Sequence, residues 1–205
     1  MAAIEPTPRN AKVRTHILDT AQRIVGSKGF SVVGLNEILV AAGVPKGSFY
    51  YYFSSKEVFG TVLLEHYFSK YLSEIDEFLT AKDLTARERL AAYWHYFRVN
   101  QESHDAVGNG KCLAVKLGAE VSDMSEEMRL ALKSGTSAVI ARLARVIKEG
   151  KVDGSVSIVG NPSAAAYTLY QLWMGASVMW KISHDRAAFK NALAATERIL
   201  SGESL

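Results

Sequence analysis

The chain has 205 residues, of which 48% are hydrophobic, so it can bury the core of a medium domain together with a small one. This composition excludes a disordered protein. The formal net charge is +3, and the whole excess lies in residues 1–60, which carry seven basic and four acidic residues, whereas residues 61–205 carry 17 of each. A basic excess on one segment is expected of a domain that faces nucleic acid, although three charges also lie within ordinary fluctuation.

The predicted elements are all helical, because apolar residues recur at helical spacing, prolines number only four and no run of β-branched residues alternates. Residues 1–8 show little periodicity and are expected to form a mobile arm. The predicted helices span residues 9–28, 34–42, 46–52, 56–79, 85–101, 112–121, 123–149, 162–183 and 186–200. Capping boxes are predicted at Ser54 with Glu57, Thr85 with Glu88, and Asp123 with Glu126. Residues 150–160 are expected to form an exposed loop.

Residues 34–57 contain two short helices joined by a tight turn. Gly43 stops the first helix, Val44 and Pro45 turn the chain, and Lys46 starts the second helix, which ends at Tyr52. This pattern predicts a helix-turn-helix, an arrangement that places its second helix in the major groove of DNA.

The second helix separates into two faces. Phe49 and Phe53 are four residues apart and are expected to point inward. Lys46 is placed to reach a guanine edge or a phosphate, and Gly47 allows the backbone to approach the duplex. The remaining residues are expected on the DNA side, with hydroxyls for phosphates and rings for thymine methyls or sugars; they are Ser48, Tyr50, Tyr51 and Tyr52. For Tyr52, packing is the alternative.

The segment AAGVPKGSFYYYFSSKE, with Gly29 and Phe30 upstream, closely resembles the DNA-binding domain of the TetR family of transcriptional repressors. The resemblance implies a three-helix DNA-binding domain over residues 1–57 and a larger helical effector-binding and dimerisation domain over residues 58–205, with about nine helices. It also implies a homodimer through the last two long helices that binds an inverted-repeat operator in double-stranded DNA. Positions matching base contacts are Lys46, Gly47 and Tyr50, and positions matching phosphate contacts are Ser48, Tyr51, Tyr52 and Lys56.

Four positions depart from the common pattern of the family. Val33 and Gly34 stand where Thr and Ser are usual, so a side-chain cap and its phosphate contact are missing. Pro45 stands where Ser is frequent, and Tyr52 where His is frequent. These differences put individual phosphate contacts in doubt, while the motif as a whole is kept.

The single cysteine, Cys112, follows the glycine-containing loop 108–111 and is expected near the start of a helix, with Lys111 and Lys116 nearby. A helix N-terminus and ammonium groups favour the thiolate, the nucleophilic form of cysteine. Such a residue can sense electrophiles or oxidants. The alternative is a small buried hydrophobic residue, which is the common role of a lone cysteine.

A second resemblance extends over most of the chain. KCLAVKLGAEVSDMSEEMR and LYQLWMGASVMWKIS resemble the effector domain of the NemR branch of the TetR family, which is associated with control of reductases that detoxify reactive electrophiles. The resemblance implies that Cys112 is a sensing cysteine and Lys181 a functional lysine. Lys181 also stands near the end of the most apolar helix, where its ammonium group needs a partner, such as the thiolate, or a route to solvent.

Two other functions remain open from the sequence. The first is a repressor that binds a small apolar ligand reversibly in a cavity lined by some of Tyr93, Trp94, Tyr167, Tyr170 and Trp173, although such aromatic stripes are often core. The second is a structural DNA-binding protein without regulation. Enzymatic activity is not expected, because the histidines are scattered and neither a phosphate-binding loop nor a nucleophile elbow is present; no cofactor or metal is expected.

Cysteine usage and apolar content also bear on location. One cysteine excludes an intrachain disulfide and fits a reducing cytoplasm, and no cleavable leader precedes the first helix, so we expect a cytoplasmic protein. The most apolar stretch, residues 164–180, contains Thr168, Gln171 and Ser177. A buried helix is therefore expected there, with no membrane partner.

Overall fold

The computed structural model describes residues 8–102 and 112–203. Within these ranges it contains nine α-helices and no strand, which confirms the all-α fold. The helices are α1 (Pro8–Lys28), α2 (Leu35–Ala42), α3 (Lys46–Tyr52), α4 (Lys56–Leu79), α5 (Ala86–Glu102), α6 (Leu113–Met124), α7 (Glu126–Asp153), α8 (Pro162–Ser183) and α9 (Ala187–Ser201). The expected arm lies outside the described residues apart from Pro8, and so does the loop 108–111.

The described residues divide into two compact units. The first comprises residues 8–68 and 112–132, and the second comprises residues 69–102 and 133–203. Helices α4 and α7 contribute residues to both units. The division into compact units does not test the predicted functional boundary at residue 57, which stays a prediction.

The first unit contains α1, α2, α3 and α6, and its core is formed where α1 packs on α2 and α6. Ile17, Leu18 and Val25 of α1 are fully buried, as the apolar stripe of this helix predicts. Gly43 ends α2 in the left-handed conformation, with φ +63°, and its N–H donates to the Val40 carbonyl. The tight turn between α2 and α3 therefore depends on this glycine.

The second unit is organised around the packing of α8 against α9. Trp94 and Trp173 stack nearly parallel, with ring centroids 4.7 Å apart. The Trp173 indole N–H donates to the Thr196 hydroxyl over 2.9 Å, so this buried polar atom is satisfied. Asn161 caps α8 by accepting from the Ser163 N–H, and Pro162 occupies the first turn, as predicted.

Two predicted helix ends and two predicted N-caps were wrong. α6 continues to Met124, and Ser125 rather than Asp123 caps α7, since its hydroxyl accepts from the Met128 N–H. Ser55 rather than Ser54 caps α4, accepting from the Val58 N–H. α7 also runs through Gly150 to Asp153, so the predicted loop begins late.

The reason for the longer α7 is packing. A Cβ atom on Gly150 would lie 2.5 Å from Cγ2 of Val156 and 3.0 Å from Cβ of Ala86. Because Gly150 has no side chain, Val156 and Ala86 can pack against α7 at this point, and the helix continues through the glycine. Val156 and Ile158 are buried, so the following segment is only partly exposed. No helix within the described ranges is both long and apolar enough to cross a bilayer.

Candidate functional site

The inward face of α3 is an aromatic cluster. Phe49 and Phe53 are 0% and 1% exposed, which confirms their predicted direction. Their ring centroids lie 5.3 and 4.9 Å from that of Phe59 on α4, respectively, in edge-on arrangements. The cluster anchors a helix that is too short to be stable alone.

The outward face of α3 carries the residues predicted to contact DNA. Tyr50 and Tyr51 are 58% and 63% exposed. Lys46 and Gly47 are also exposed, whereas Ser48, Tyr52 and Lys56 are half-buried. The structure therefore brings all seven residues to one short helix and the first residue of the next, with the most accessible side chains at Lys46, Tyr50 and Tyr51.

Two contacts hold this surface from outside α3. The Asn10 side chain of α1 donates a hydrogen bond to the Tyr51 hydroxyl over 3.1 Å. The guanidinium group of Arg14 lies 5.5 Å from the centroid of the Phe53 ring, within the range of a cation–π interaction. The first helix thus supplies a hydrogen bond to Tyr51 on the outward face and a positive charge beside the inward Phe53.

The start of α2 lacks a side-chain cap, as the Val33 and Gly34 substitutions predict. Gly34 stands at the N-cap in an extended conformation without a side-chain hydrogen bond. Val33 is 1% exposed and belongs to the core. Neither residue can donate a side-chain hydrogen bond to a phosphate.

Cys112 lies directly before α6, at its N-cap, and is 8% exposed. The Tyr67 hydroxyl donates a hydrogen bond to the sulfur over 3.5 Å. The predicted neighbour Lys111 falls outside the described residues.

Lys181 lies in the last turn of α8 and is half-buried. It follows Trp180, whose indole N–H donates to the Gln101 carbonyl over 3.2 Å. Because Cys112 belongs to the first compact unit and Lys181 to the second, a contact between them stays a prediction.

The five aromatic residues predicted to line a ligand cavity divide into two groups. Tyr93, Trp94, Tyr170 and Trp173 are buried, whereas Tyr167 is 54% exposed. A cavity of about 480 Å³ lies in the second unit, and Trp94 and Trp173 are the two members of the set that line it. Its other lining residues are Ala91, Ala92, His95, Arg98, Leu193 and Glu197.

Two contacts were missed at the sequence level. Tyr67 falls within the predicted helix 56–79 and was given no further role, yet its hydroxyl contacts a residue 45 positions away. Glu120 accepts hydrogen bonds from the backbone of Phe30 and Ser31, about 90 positions away. No residue pattern signals either contact, because a tyrosine and a glutamate at helical positions are usual.

Two family patterns match most of the chain. Bacterial regulatory proteins of the tetR family match over residues 17–59. The tetracyclin repressor-like C-terminal domain matches over residues 86–196.

Relatives of known class cover nearly the whole chain. The HTH-type transcriptional repressor NemR of Escherichia coli (strain K12) is 39% identical over 188 residues, which are 92% of this chain and 94% of NemR. The HTH-type transcriptional repressor DhaR of Mycobacterium sp. (strain GP1) is 31% identical and covers 94% of this chain and 98% of its own. The crystal structure of E. coli NemR in its reduced form superposes with a TM-score of 0.87 at 38% identity, covering 95% of this chain and 100% of that one.

Proposed function

Because the chain belongs to the TetR family of bacterial regulatory proteins, we propose a mechanism for a NemR-like transcriptional repressor. It binds an inverted-repeat operator as a homodimer in the cytoplasm and is released when a reactive electrophile or oxidant modifies Cys112. Family members are transcriptional regulators and not enzymes. A regulatory role also argues against the alternative of a purely structural DNA-binding protein.

The DNA-binding step is assigned to residues 1–57 and regulation to residues 58–205. In support, α3 holds its phenylalanines inward and presents Lys46, Tyr50 and Tyr51 to solvent. A lysine and two phenols can contact bases and phosphates in a major groove. Ser48, Tyr52 and Lys56 are less exposed and are assigned to phosphate contacts.

The dimer step is assigned to α8 and α9. Helix α8 carries an exposed apolar stripe at Tyr167, Val178, Met179 and Ile182, and α9 adds the half-exposed Leu193. Gly175 lies along the same stripe, and apart from its chain neighbours and the backbone of its own helix no atom comes within 4 Å of the place where its Cβ would be. A stripe of this kind allows a partner helix to approach closely and bury apolar surface.

The observation that carries the sensing step is the position of the one cysteine, which directly precedes α6 with the Tyr67 hydroxyl donating to its sulfur. The thiolate adds to an electron-poor carbon–carbon double bond, so a C–S bond forms and the adjacent carbon takes a proton from water. The adduct adds volume at a position that is 8% exposed, so we expect α6 to move. Lys181 is proposed to assist as a cation near the thiolate.

The test compares wild type with Cys112→Ser, each bound to a labelled operator and treated with N-ethylmaleimide. We expect wild type to lose at least about tenfold in operator affinity, equivalent to about 1.4 kcal/mol. The serine variant should keep its affinity. If treatment released the serine variant as readily as wild type, the sensing step would be wrong. Separately, Lys181→Gln should slow labelling of Cys112 without changing the operator affinity of the untreated protein.

A second candidate function is release by a small apolar ligand that binds reversibly. The observation that favours it is the cavity of about 480 Å³ against the Trp94 and Trp173 pair, with Arg98 and Glu197 at its edge. The Trp94 indole nitrogen is buried and has no hydrogen-bond partner among the described residues. If 1-naphthol released Cys112→Ser from operator and quenched tryptophan fluorescence, this function would replace thiol sensing.

A further inference from the structure

A carboxylate of helix α6 is hydrogen-bonded to the loop that directly precedes the helix-turn-helix. Glu120 of α6 accepts two hydrogen bonds from consecutive backbone amides, at 2.6 Å from the Ser31 N–H and 3.2 Å from the Phe30 N–H. Both amides belong to the segment 29–34 between α1 and α2, which we term the α1–α2 loop. One side chain thus satisfies two backbone donors that follow the end of α1.

The local structure is built for this contact. Gly29 has φ +101°, and a Cβ there would lie 3.2 Å from Oε2 of Glu120. The Ser31 hydroxyl donates to the Met124 sulfur, one turn further along α6, over 3.2 Å. Burial raises the pKa of Glu120, but the hydrogen bonds from Ser31 and Phe30 outweigh burial and keep the pKa below its ordinary range. The carboxylate is therefore charged at neutral pH.

The α1–α2 loop also contacts a residue predicted to bind phosphate. The Lys56 ammonium group donates to the Ser31 carbonyl over 3.4 Å and lies 5.1 Å from the centroid of the Phe30 ring. Phe30 is 2% exposed, so its position is fixed by packing. Glu120 and Lys56 therefore hold the same two residues, one through their amides and the other through a carbonyl and a ring.

The other end of α6 is the cysteine. Cys112 and Glu120 are eight residues apart, which is about 12 Å along an α-helix. Ala114, Leu117 and Val121 lie on the buried face of the helix between and beside them. A short helix packed in this way moves as a rigid rod, so a displacement at its start also displaces its later turns.

We propose that Glu120 is the positioning residue that couples α6 to the helix-turn-helix. Its carboxylate holds the α1–α2 loop, and through that loop Lys56, in the arrangement that binds DNA. Modification of Cys112 shifts α6 and withdraws the carboxylate from the two amides. This coupling rests on the proposed function, in which Cys112 is the residue that is modified.

The experiment compares Glu120→Gln with Asp123→Asn, an exposed carboxylate of the same helix. Both variants remove one negative charge, but the glutamine also replaces one of the two acceptor oxygens by a donor. Operator affinity is measured before and after treatment with N-ethylmaleimide, and amide hydrogen exchange is measured at Phe30 and Ser31. Glu120→Gln should bind operator about tenfold more weakly and lose little more on treatment, because a hydrogen-bonded charge is already missing. Asp123→Asn should behave as wild type.

The exchange measurement tests the coupling in wild type as well as in Glu120→Gln. In wild type, the amides of Phe30 and Ser31 should exchange faster once Cys112 is modified, and in Glu120→Gln they should exchange fast from the start. Unchanged exchange at both amides after modification would overturn the coupling, as would a treated-to-untreated affinity ratio in Glu120→Gln equal to that of Asp123→Asn.

A failure of the proposed function can be told apart from a failure of the coupling. In that case wild type itself would not bind operator, or would not be released by N-ethylmaleimide. If Glu120→Gln fails to fold, as judged by circular dichroism, Glu120→Asp replaces it. The shorter aspartate keeps its charge but cannot reach both amides, so it should show an intermediate affinity ratio. A ratio equal to that of wild type would also overturn the coupling.

Discussion

At the scale of single residues, the outward side chains of α3 are proposed to determine how tightly the chain binds DNA. Lys46→Ala and Tyr50→Ala should each weaken operator binding by about 1–3 kcal/mol. Both side chains are exposed, so neither substitution should change folding. If Lys46 binds a phosphate, its removal should also lower the slope of log affinity against log salt by about one.

The matched control for Lys46→Ala is Lys151→Ala, which removes an exposed lysine near the end of α7. Fluorescence anisotropy titrations at fixed salt measure both. Equal affinities for Lys46→Ala and Lys151→Ala would count against the docking of α3 in the groove.

The carboxyl group of Glu120 gives the first unit a pH dependence of defined sign. Burial raises its pKa, while hydrogen bonds from Ser31 and Phe30 and the charge of Lys116 lower it, with a net decrease from about 4.5. A group with a lowered pKa stabilises the fold above its unfolded pKa and loses that effect as pH falls through the folded value. The difference in unfolding free energy between wild type and Glu120→Gln should therefore be largest above pH 4.5 and shrink below it.

Urea unfolding at pH 7 and pH 3 measures that difference directly. A difference of the same size at both values would mean that the charge of Glu120 contributes nothing to the stability of the unit.

At the scale of the helices, two glycines inside helices should respond to alanine in opposite directions. At Gly150 the new methyl group would meet Val156 and Ala86, and such overpacking costs about 1–3 kcal/mol. This exceeds the gain in helix propensity, about 1 kcal/mol. At Gly118 of α6, no atom outside its chain neighbours and its own helix backbone lies within 4 Å of the Cβ position, so only the gain in helix propensity remains there.

Thermal unfolding followed by circular dichroism should show a lower midpoint for Gly150→Ala and a higher midpoint for Gly118→Ala. A higher midpoint for both would mean that the end of α7 yields easily around the added methyl group.

Helix positions were predictable from sequence where a local residue sets the boundary. The bounds of α3 and α4 were predicted to the residue, because Gly43, Pro45 and the following serines act through their own backbone and caps. The end of α7 was not, because whether Gly150 stops a helix depends on Val156 packing against it. Caps and turn residues can be recognised in a sequence, whereas the packing of a distant residue against a glycine cannot.

The candidate sites show the same difference between features set by local sequence and features set by tertiary packing. The inward direction of Phe49 and Phe53 follows from their spacing and is confirmed. The partners of Cys112 and Glu120 come from other helices, and their identity depends on how α4 and α6 are placed in the first unit. Tyr167 was grouped with buried aromatic residues by its spacing, yet it is over half exposed.

At the scale of the whole molecule, the exposed stripe of α8 should decide the oligomeric state. Val178→Glu places a charge in the middle of the proposed dimer interface, where its burial costs several kcal/mol. We expect monomers in sedimentation experiments and a loss of operator affinity, because one helix-turn-helix contacts only half of an inverted repeat.

Val152→Glu is the control, since Val152 is 85% exposed on α7 and lies outside the stripe. It should remain a dimer with unchanged affinity. Dimers of Val178→Glu at micromolar concentration would place the interface elsewhere.

The two faces of α3 also bear on how such a repressor diverges from its relatives. Folding depends on Phe49 and Phe53, whereas operator sequence is proposed to be read by Lys46, Tyr50 and Tyr51, which are exposed. Substitutions on the outward face are therefore nearly free of stability constraints. Under the proposed function, operator specificity can change by single substitutions between duplicated genes while the fold and the proposed response at Cys112 are kept. The same freedom makes α3 the place to redesign which promoter the chain would control.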